Sequence, residues 1–543
     1  MRNVFKKLLL MGVAVTLAGI AEAKTFRYAT TGDVLGLDPH ANNEGPTNTM
    51  KGNLYGRLLH RKADLSLEPD LATKWEKLDA TTWRFSLRQG VKFHNGNAFN
   101  ADDVVFSYNR QTQESSDMSF ALATVKEVRK VDDHTVDIIT KGPDPILLLN
   151  MPIFYIVDKE WTEANNAFEV VRASGSTNFA NVNANGTGPF KLVEWVQDTR
   201  LVLEPNPNYW NKANVQHNLT RAVFTPIAND ATRVAALLSG EIDLMYPVPL
   251  QDVNRLENDP NTLAMQGPEL RTIFLGFDQW RDESLDMPGT GKNPFKDKRV
   301  RQAVFQAINI DAIKRVVMRN AAAPTGLMIA PGINGFQDDM NDRSPYDPDG
   351  AKKLLTEAGY PDGFPITFDC PNDRYVNDEK ICTAIVPMLE RVGIKVTPNF
   401  QTKSKHFNKI GLPDKNNTTF FMLGWTPGSY DALNPLMQLM TMGKPGHGDY
   451  NCGQYNNPRV DELTEMIKTE MDEGKRTAMI REAFQIHKDD FGHIPLHQQA
   501  LAWGVRKDTV KSVIQRPFND VDLRYVVMNW FNQVQRSEQT DRC

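Results

Sequence analysis

The order of apolar and polar residues predicts β-strands in the first part of the chain. Apolar residues alternate with polar ones in TFRYA (25–29) and in WRFSL (83–87), as they do in a strand with one buried face. The segment VDDHTVDIIT (131–140) has the same pattern, and GPFKLV (188–193) has the pattern of a strand that is beginning. Each of these segments therefore predicts one strand.

Three segments combine a helical stripe of apolar residues with a residue suited to cap a helix. They are ADDVVFSYNRQ after Asn100, VRQAVFQAI after Asp297, and AKKLLTEA after Asp347. A further helix is expected to begin at Asn457-Pro458, and Gly474 is expected to divide the helical stretch that follows it.

Short strands are also predicted at 394–396 and 501–505, so strands and helices alternate in the second half. Such alternation, without repeats or low-complexity linkers, indicates an α/β protein with mixed sheets. The length of 543 residues is too great for a single core and predicts two or three domains. Ligands of α/β lobes usually bind at strand ends or between lobes.

The first 23 residues have the pattern of a secretory signal peptide. A basic head precedes the apolar run LLLMGVAVTLAG (8–19), and Ala21 and Ala23 supply the small residues of a cleavage site. The apolar run is short for a membrane span, and a retained N-terminal anchor is the alternative. We therefore expect cleavage after Ala23, export to the periplasm, and a mature chain of residues 24–543 without a membrane span.

The charge of the chain argues against polyanionic partners. The chain has 62 Lys and Arg against 67 Asp and Glu, a formal net charge of −5, and the two signs are interspersed. A mildly acidic, mixed surface does not favour nucleic acids or anionic membranes.

Four cysteines allow one or two disulfides in an oxidising compartment. Cys370 and Cys382 close a short loop and are the expected pair, with a free buried thiol at each position as the alternative. Sequence spacing assigns no partner to Cys452 or Cys543.

Motifs for catalysis, cofactors and metals are incomplete in this sequence. GTGKN (289–293) lacks the first glycine and the final Ser or Thr of a phosphate-binding loop, and Ser174 lacks the preceding glycine of a nucleophile elbow. His493 and His497 are four residues apart, but Pro495 lies between them and argues against a helical zinc pair. We therefore expect no catalytic residues, no cofactor and no metal, and a secreted hydrolase is disfavoured because no nucleophile–base pair is visible.

One loop carries side chains that a simple connector does not need. The apolar run TTFFMLGW (418–425) leads into TPGSYD (426–431), which places Trp425, Tyr430 and Asp431 at the end of a predicted buried strand. Large aromatic residues on such a loop either pack into a core or contact a ligand. Both alternatives are open for Trp425 and Tyr430.

Seven stretches match motifs that occur together in one family. They are ADDVVFSYNR (101–110), NGTGPFKLVEW (185–195), EPNPNYW (204–210), SGEIDL (239–244), KDKRVRQAVFQAINIDAI (296–313), YDPDGAKKLLTEAGYPDGF (346–364) and GWTPGSYD (424–431). In this order they resemble the large periplasmic solute-binding proteins of ABC importers, the peptide/nickel-binding group, over nearly the whole chain after the signal peptide.

The resemblance implies a two-lobed α/β binding protein with mixed sheets, a hinge between the lobes and an extra inserted domain. Lobe I would comprise residues 24–58, 190–277 and 510–543, with an inserted subdomain at 59–189. Lobe II would comprise residues 278–509.

The resemblance also implies ligand-binding residues in lobe II. In peptide-binding members, an acid three residues after the tryptophan of the Gly-Trp strand pairs with the ligand's α-ammonium. The matching position here is Gly428, and Asp431 would substitute for the acid only if the loop folds differently. Arg374 falls where some dipeptide-binding members carry a carboxylate-binding arginine. A local salt bridge to Asp373 or Asp378 is the alternative role for Arg374.

The loop NNEGPT (42–47) corresponds to the first lobe's side of the cleft and adds Asn43, Glu44 and Thr47 to the expected ligand-binding residues. Glu44 would bind a cation there, and a solvated loop charge is the alternative.

The function implied is that of a monomeric periplasmic component of an ABC importer. It would capture a di- or oligopeptide in the interlobe cleft and deliver it to an inner-membrane permease. One alternative is the same scaffold with a different small-molecule solute: an opine-like conjugate, a nickel chelate or a small oligosaccharide. Another is a periplasmic chaperone or sensory partner.

Overall fold

The computed structural model describes residues 24–172, 177–411, 416–442 and 447–529. The predicted signal peptide, Ser174 and Cys543 lie outside the described residues. Strands of the first part are β1 (Thr25–Thr30), β2 (Leu59–Arg61), β3 (Leu67–Pro69), β4 (Ala72–Lys77), β5 (Thr82–Leu87), β6 (Val125–Asp132), β7 (Thr135–Thr140), β8 (Phe190–Val196), β9 (Arg200–Pro205), β10 (Arg221–Pro226) and β11 (Leu244–Met245). Later strands are β12 (Thr262–Phe277), β13 (Ala323–Pro324), β14 (Pro365–Pro371), β15 (Lys395–Gln401), β16 (Phe420–Trp425), β17 (Ile494–Arg506), β18 (Val510–Ser512) and β19 (Val527–Met528).

Helices are concentrated between β12 and β17. In chain order they are α1 (Gly45–Leu54), α2 (Ala101–Gln111), α3 (Leu147–Asn150), α4 (Lys159–Ala164), α5 (Phe179–Val182), α6 (Asp230–Ser239), α7 (Val253–Asn258), α8 (Lys298–Ala307), α9 (Ile310–Ala312), α10 (Pro348–Glu357), α11 (Asp378–Glu390), α12 (Lys403–Ile410), α13 (Leu433–Leu439), α14 (Pro458–Ile467) and α15 (Glu473–Asp489).

The predicted helix starts are confirmed. Asn100 accepts from the backbone N–H of Asp102, and Asp103 accepts from that of Asn100, which makes a reciprocal cap for α2. Asp297 and Asp347 cap α8 and α10 through their side chains.

Two boundaries predicted from the sequence are wrong. The single strand expected at 131–140 is the end of β6 and the whole of β7, because residues 133 and 134 form the turn of a hairpin. Gly474 does not divide the late helical stretch. It lies in the first turn of α15, which Asp472 caps, and the break falls between 468 and 472.

Most strands belong to one large mixed sheet. Its order is β15-β14-β16-β12-β17-β11-β1-β10-β9-β8, and β13 pairs with β17. We call the half that contains β1 and β8 to β11 lobe I, and the half that contains β14 to β16 lobe II. A separate four-stranded sheet, β4-β5-β7-β6, has its own hydrophobic core and forms the inserted subdomain. The described chain is thus a two-lobed α/β protein.

The long strands β12 and β17 join the two lobes. They pair antiparallel from Thr262 opposite Arg506 to Leu275 opposite Ile494. Between Pro268 and Thr272 the register shifts, so β12 advances four residues where β17 advances two. We call the extra segment, residues 269–271, the hinge bulge.

A disulfide fixes the end of one lobe II strand. Cys370, in β14, bonds to Cys382, in α11, with Cα atoms 6.6 Å apart. The loop between these elements carries Arg374. The residue is therefore part of the covalent ring that the disulfide closes. Cys452 is a free buried thiol, and burial raises its pKa to about 12.

Candidate functional site

Two loops and the hinge bulge meet at the edge of lobe II that faces lobe I. β14 and β16 are parallel neighbours, so the loops that follow them leave the same edge of the sheet. The hydroxyl of Tyr375 in the first loop donates to the carbonyl of Gly424 at 3.4 Å. Trp425, at the end of β16, pairs with Thr272 directly after the hinge bulge. These loops and the bulge form one wall of the space between the lobes.

Arg374 carries a guanidinium that no described carboxylate pairs with. Asp378 accepts from the backbone N–H groups of Arg374 and Tyr375, and Asp373 accepts from the backbone N–H of Lys403. Within the described ranges, no carboxylate oxygen lies within 4.0 Å of the Arg374 guanidinium. The local salt bridge that was the alternative role for Arg374 is therefore not formed.

A second guanidinium lies beside the first. The Cζ atoms of Arg374 and Arg271 lie 5.1 Å and 6.0 Å from the ring centre of Tyr375. Burial, and then the positive charge of Arg271, lower the pKa of Arg374. Arg271 lies 3.5 Å from Glu269, which accepts from Gln499 at 2.5 Å. Arg271 is paired with Glu269, whereas Arg374 has no carboxylate within 4.0 Å among the described residues, which suits its guanidinium to a carboxylate of a ligand.

The aromatic loop residues are both held by protein contacts. The indole N–H of Trp425 donates to Asn434 at 2.7 Å, and its ring centre lies 4.8 Å from that of Tyr450. Tyr430 has a φ of 54°, a left-handed conformation that bulky residues rarely adopt. The ring of Tyr430 contacts residues from outside lobe II.

Asp431 is used inside lobe II. Its two carboxylate oxygens accept from the two Nη atoms of Arg476 at 2.7 and 3.0 Å, and Asn334 donates to it at 2.6 Å. Its side chain is 0% exposed. In this arrangement Asp431 faces Arg476 and not the space between the lobes, and the structure offers no support for it as an ammonium anchor.

Gly428 adjoins an aromatic ring of the inserted subdomain. A Cβ atom at Gly428 would lie 3.4 Å from the ring of Phe120. A longer acidic side chain at this position would meet an apolar surface. This contact gives a physical reason for the missing acid.

The three predicted residues of the N-terminal loop make local bonds. Glu44 caps α1 by accepting from the backbone N–H of Thr47 at 3.1 Å and from its hydroxyl at 2.8 Å. The Thr47 hydroxyl also accepts from the backbone N–H of Leu35. Asn43 is exposed and accepts from the side-chain amide of Asn48 at 2.8 Å. Glu44 and Thr47 therefore build the loop, and Asn43 remains accessible.

Sequence reasoning missed the lobe I wall that faces Tyr430. Arg61 lies over the ring of Tyr430, with 4.5 Å between Cζ and the ring centre. Phe518 contacts the same ring at 5.7 Å, and Arg516 lies over Phe518 at 4.3 Å. These residues come from segments hundreds of positions apart, so no local pattern marks them as neighbours.

Other contacts also bring the lobes together. A Cβ atom at Gly332 of lobe II would lie only 2.7 Å from a methyl carbon of Leu65. Close by, a cavity of about 170 Å³ lies between the turn 63–65, residues 268–270, residues 330–331, Gln498 and Pro517. The two lobes are therefore in contact, with a partly open pocket beside the hinge bulge.

Two groups of metal-ligand residue types occur in the described chain. His487 and His493 are buried with ring nitrogens 2.9 Å apart, and burial lowers the pKa of both imidazoles. Carboxylate oxygens of Asp103, Asp158 and Glu160 also lie close together. Asp103 and Asp158 already accept backbone and amide N–H groups, so the structure gives them local roles. Within the described ranges, every helix is either too short or too polar to cross a bilayer.

Comparisons with known proteins agree with this architecture. The chain is 28% identical over 538 residues to a dipeptide-binding protein of Escherichia coli (strain K12), covering 94% of both chains. It is 28% identical over 533 residues to heme-binding protein A of Haemophilus influenzae, covering 93% of this chain and 92% of the relative. A solved structure of the periplasmic binding protein DppA from Helicobacter pylori, in complex with the peptide STSA, is 25% identical. It superposes with a TM-score of 0.73 over 92% of this chain and 96% of that chain.

A family profile covers most of the chain as well. The profile of bacterial extracellular solute-binding proteins, family 5 middle, matches residues 66–446, which include the inserted subdomain, the hinge bulge, Arg374 and the Trp425 loop. The chain belongs to the family 5 bacterial extracellular solute-binding proteins.

Proposed function

We propose that this protein is the substrate-binding component of an ABC importer, which captures a di- or oligopeptide between its lobes and delivers it to an inner-membrane permease. The observation that carries the proposal is the guanidinium of Arg374, which lies close to Arg271 of the hinge bulge and has no carboxylate partner among the described residues. A peptide's terminal carboxylate would supply the missing negative charge through two parallel hydrogen bonds.

Two relatives support a peptide as the ligand. One is named for dipeptides, and the Helicobacter pylori protein was solved with a bound peptide. An uncharged oligosaccharide would leave Arg374 without a counter-ion, so the site favours a ligand that carries a carboxylate.

The proposal has further parts. The chain is exported to the periplasm by its signal peptide, is cut after Ala23, and acts there as a monomer. Its lobes follow the boundaries expected from the sequence, with residues 59–189 inserted into lobe I. Among the ligand-binding residues we retain Arg374, Asn43, Trp425 and Tyr430 as expected contacts, and we assign structural roles to Glu44, Thr47 and Asp431 because their side chains bond within the protein.

The test is calorimetric titration of short peptides into the wild-type protein, Arg374→Gln and the matched control Arg391→Gln, whose side chain is exposed. Loss of one partner from a desolvated charge pair should weaken binding by at least ~30-fold. Arg374→Gln should show this loss for peptides with a free carboxylate and little loss for C-terminal amides. Equal affinity of wild type and Arg374→Gln for free-acid peptides would contradict the proposal.

A further inference from the structure

Lys51 of α1 is a cation buried beneath the N-terminal loop. The residue is only 1% exposed, and its ammonium donates to the backbone carbonyl of Asn42 and, at 3.3 Å, to the side-chain oxygen of Asn48. The ammonium also lies 5.9 Å from the ring centre of Tyr155. Among the described residues, no carboxylate oxygen lies within 4.0 Å of it. Amide oxygens and an aromatic ring therefore hold this charge in place of an ion pair.

A chain of hydrogen bonds runs from Lys51 to the protein surface at Asn43. Asn48 accepts from Lys51 through its side-chain oxygen, and its side-chain nitrogen donates to the side-chain oxygen of Asn43 at 2.8 Å. A lysine ammonium has donors only, so the atom of Asn48 that faces it must be the oxygen. The nitrogen of Asn48 is then left to face Asn43, which in turn must present its own oxygen. Lys51 thus fixes the orientation of both amides.

The outer end of this chain is a hydrogen-bond donor. Asn43 is the first exposed residue after the buried run 36–42, and its side-chain nitrogen has no hydrogen-bond partner among the described residues. Because Asn48 occupies its oxygen, Asn43 offers two N–H groups to a molecule in front of the loop. A carbonyl or carboxylate oxygen can accept them, whereas another donor cannot.

The N-terminal loop lies beside a segment that reaches lobe II. The backbone N–H of Asp117 donates to the carbonyl of Ala41 at 3.4 Å, two residues before Asn43. Phe120, three residues after Asp117, adjoins Gly428 of the loop after β16. One short segment therefore links the N-terminal loop to the lobe II loop, which places Asn43 near the boundary between the lobes.

We propose that Lys51 is a positioning residue that, through Asn48, holds Asn43 as a hydrogen-bond donor to the ligand. Lys51 does not touch the ligand itself, because it is buried beneath the loop. The inference rests on the proposed function, since it assumes a ligand between the lobes. The ligand atom that Asn43 binds is then an acceptor, such as a main-chain carbonyl oxygen of a peptide.

Asn48→Asp reverses the chain while it keeps the contact to Lys51. A carboxylate can only accept, so Asn43 must turn its nitrogen towards residue 48 and its oxygen towards the ligand. The probe is the peptide that wild type binds most tightly in a panel of di- and tripeptides, measured by titration calorimetry. Asn48→Asp and Asn43→Ala should each weaken binding by roughly 3- to 10-fold. The double variant should bind no more weakly than Asn43→Ala alone.

Two further variants control for charge and for a purely structural role. Asn208→Asp adds the same charge at an exposed position of the loop after β9, and it should bind like wild type. Lys51→Met removes the ammonium and should show the same loss as Asn48→Asp, again without further effect in the Asn43→Ala background. If Lys51 only stabilised the fold, Asn48→Asp would keep full affinity, because Lys51 gains a carboxylate partner. Thermal unfolding of each variant shows that the fold is retained.

The outcomes separate this inference from the proposed function. Equal affinity of wild type and Asn48→Asp, or of wild type and Asn43→Ala, would overturn the inference and leave the peptide-binding function in place. A further loss caused by Asn48→Asp in the Asn43→Ala background would also overturn it, since the added charge and not the orientation of Asn43 would then weaken binding. Absence of binding of every peptide by wild type would instead refute the proposed function and, with it, this inference.

Discussion

The guanidinium of Arg61 lies 4.5 Å over the ring of Tyr430, and this pair joins β2 to the loop after β16 in lobe II. Phe518 covers the same ring from lobe I. The hydroxyl of Tyr430 is therefore set among residues of the opposite lobe, and burial raises its pKa to about 12. The contact exists only when the lobes touch.

Removing this contact should weaken ligand binding by favouring open lobes. A cation–π pair of this kind contributes about 0.5–2 kcal/mol. Tyr430→Leu should therefore raise the Kd for peptide by roughly 2- to 30-fold, while Tyr430→Phe keeps the ring and should stay close to wild type. Titration calorimetry on the two variants measures the difference. An equal loss in both would instead indicate that the hydroxyl contacts the ligand.

The buried pair of Asp431 and Arg476 should be important for stability. Asp431→Asn leaves the Arg476 guanidinium buried without its charge partner, and we expect a loss of about 3–5 kcal/mol in the free energy of unfolding. Asp339→Asn is the matched control, because it breaks an Asp–Arg pair with Arg481 that is exposed. Its cost should stay below ~1 kcal/mol. Urea unfolding of both variants tests this, and similar small losses would contradict the prediction.

The disulfide should stabilise lobe II by restricting the unfolded chain. Replacing Cys370 and Cys382 together by alanine should lower the free energy of unfolding by about 3 kcal/mol. Alkylation of the denatured wild type, with and without a reductant, followed by intact-mass measurement, establishes whether the two thiols are free. Alkylation of Cys370 and Cys382 themselves without reductant, located by peptide mapping because Cys452 and Cys543 are two further cysteines, would show that the bond is not formed in the purified protein.

An acid introduced at Gly428 should weaken binding in this protein. Gly428→Asp would place a carboxylate against the ring of Phe120, whereas Gly428→Ala adds only a Cβ at van der Waals distance. We expect tenfold or weaker peptide affinity for the aspartate variant, which corresponds to about 1.4 kcal/mol, and little change for alanine. Phe120→Ala in the aspartate background should recover part of the loss. Tighter binding by Gly428→Asp alone would show that Phe120 moves aside easily.

The buried imidazole of His497 should make the protein sensitive to acid. Burial lowers its pKa to about 3, and neither ring nitrogen has a hydrogen-bond partner among the described residues. The unfolded chain, with a histidine pKa of about 6.5, binds the proton more tightly, so stability is complete above ~6.5 and falls as the pH drops towards 3.

His497→Leu removes this titration without removing a hydrogen bond. We compare the unfolding free energy of the variant with that of wild type. The variant's value minus the wild-type value should be about 2 kcal/mol larger at pH 5 than at pH 7.5. Urea unfolding at the two pH values measures the change. If the unfolding free energies of wild type and variant differ by the same amount at both pH values, groups other than His497 cause the acid sensitivity.

Local sequence signals identified the helices that begin after Asn100, Asp297, Asp347 and Asn457, and missed the connections between distant segments. Asn100, Asp297 and Asp347 cap the helices directly after them, so a few neighbouring residues contain the whole signal. Asp431 looked available for a ligand because its partner, Arg476, is 45 positions away in another helix. The predicted strand at 131–140 failed for a local reason, because Asp133 and His134 make a tight turn inside an otherwise regular pattern.

The site shows the same division between local and distant information. Arg374 was marked by family resemblance. Arg61 and Phe518 carried no such mark, because nothing near them in sequence indicates that the fold brings them to Tyr430. The bulge at 269–271 depends on the register between β12 and β17, which only the folded sheet defines.

The hinge bulge has a consequence for how such a protein diversifies. Glu269 and Arg271 belong to the bulge in the strand pair that joins the two lobes, and they also stand close to Arg374. On the proposed function, a mutation there would change ligand preference and the balance between open and closed lobes in a single step. Selection for a new nutrient would therefore also alter how readily the protein closes and how long it holds its cargo, so specificity and transport rate are inherited together.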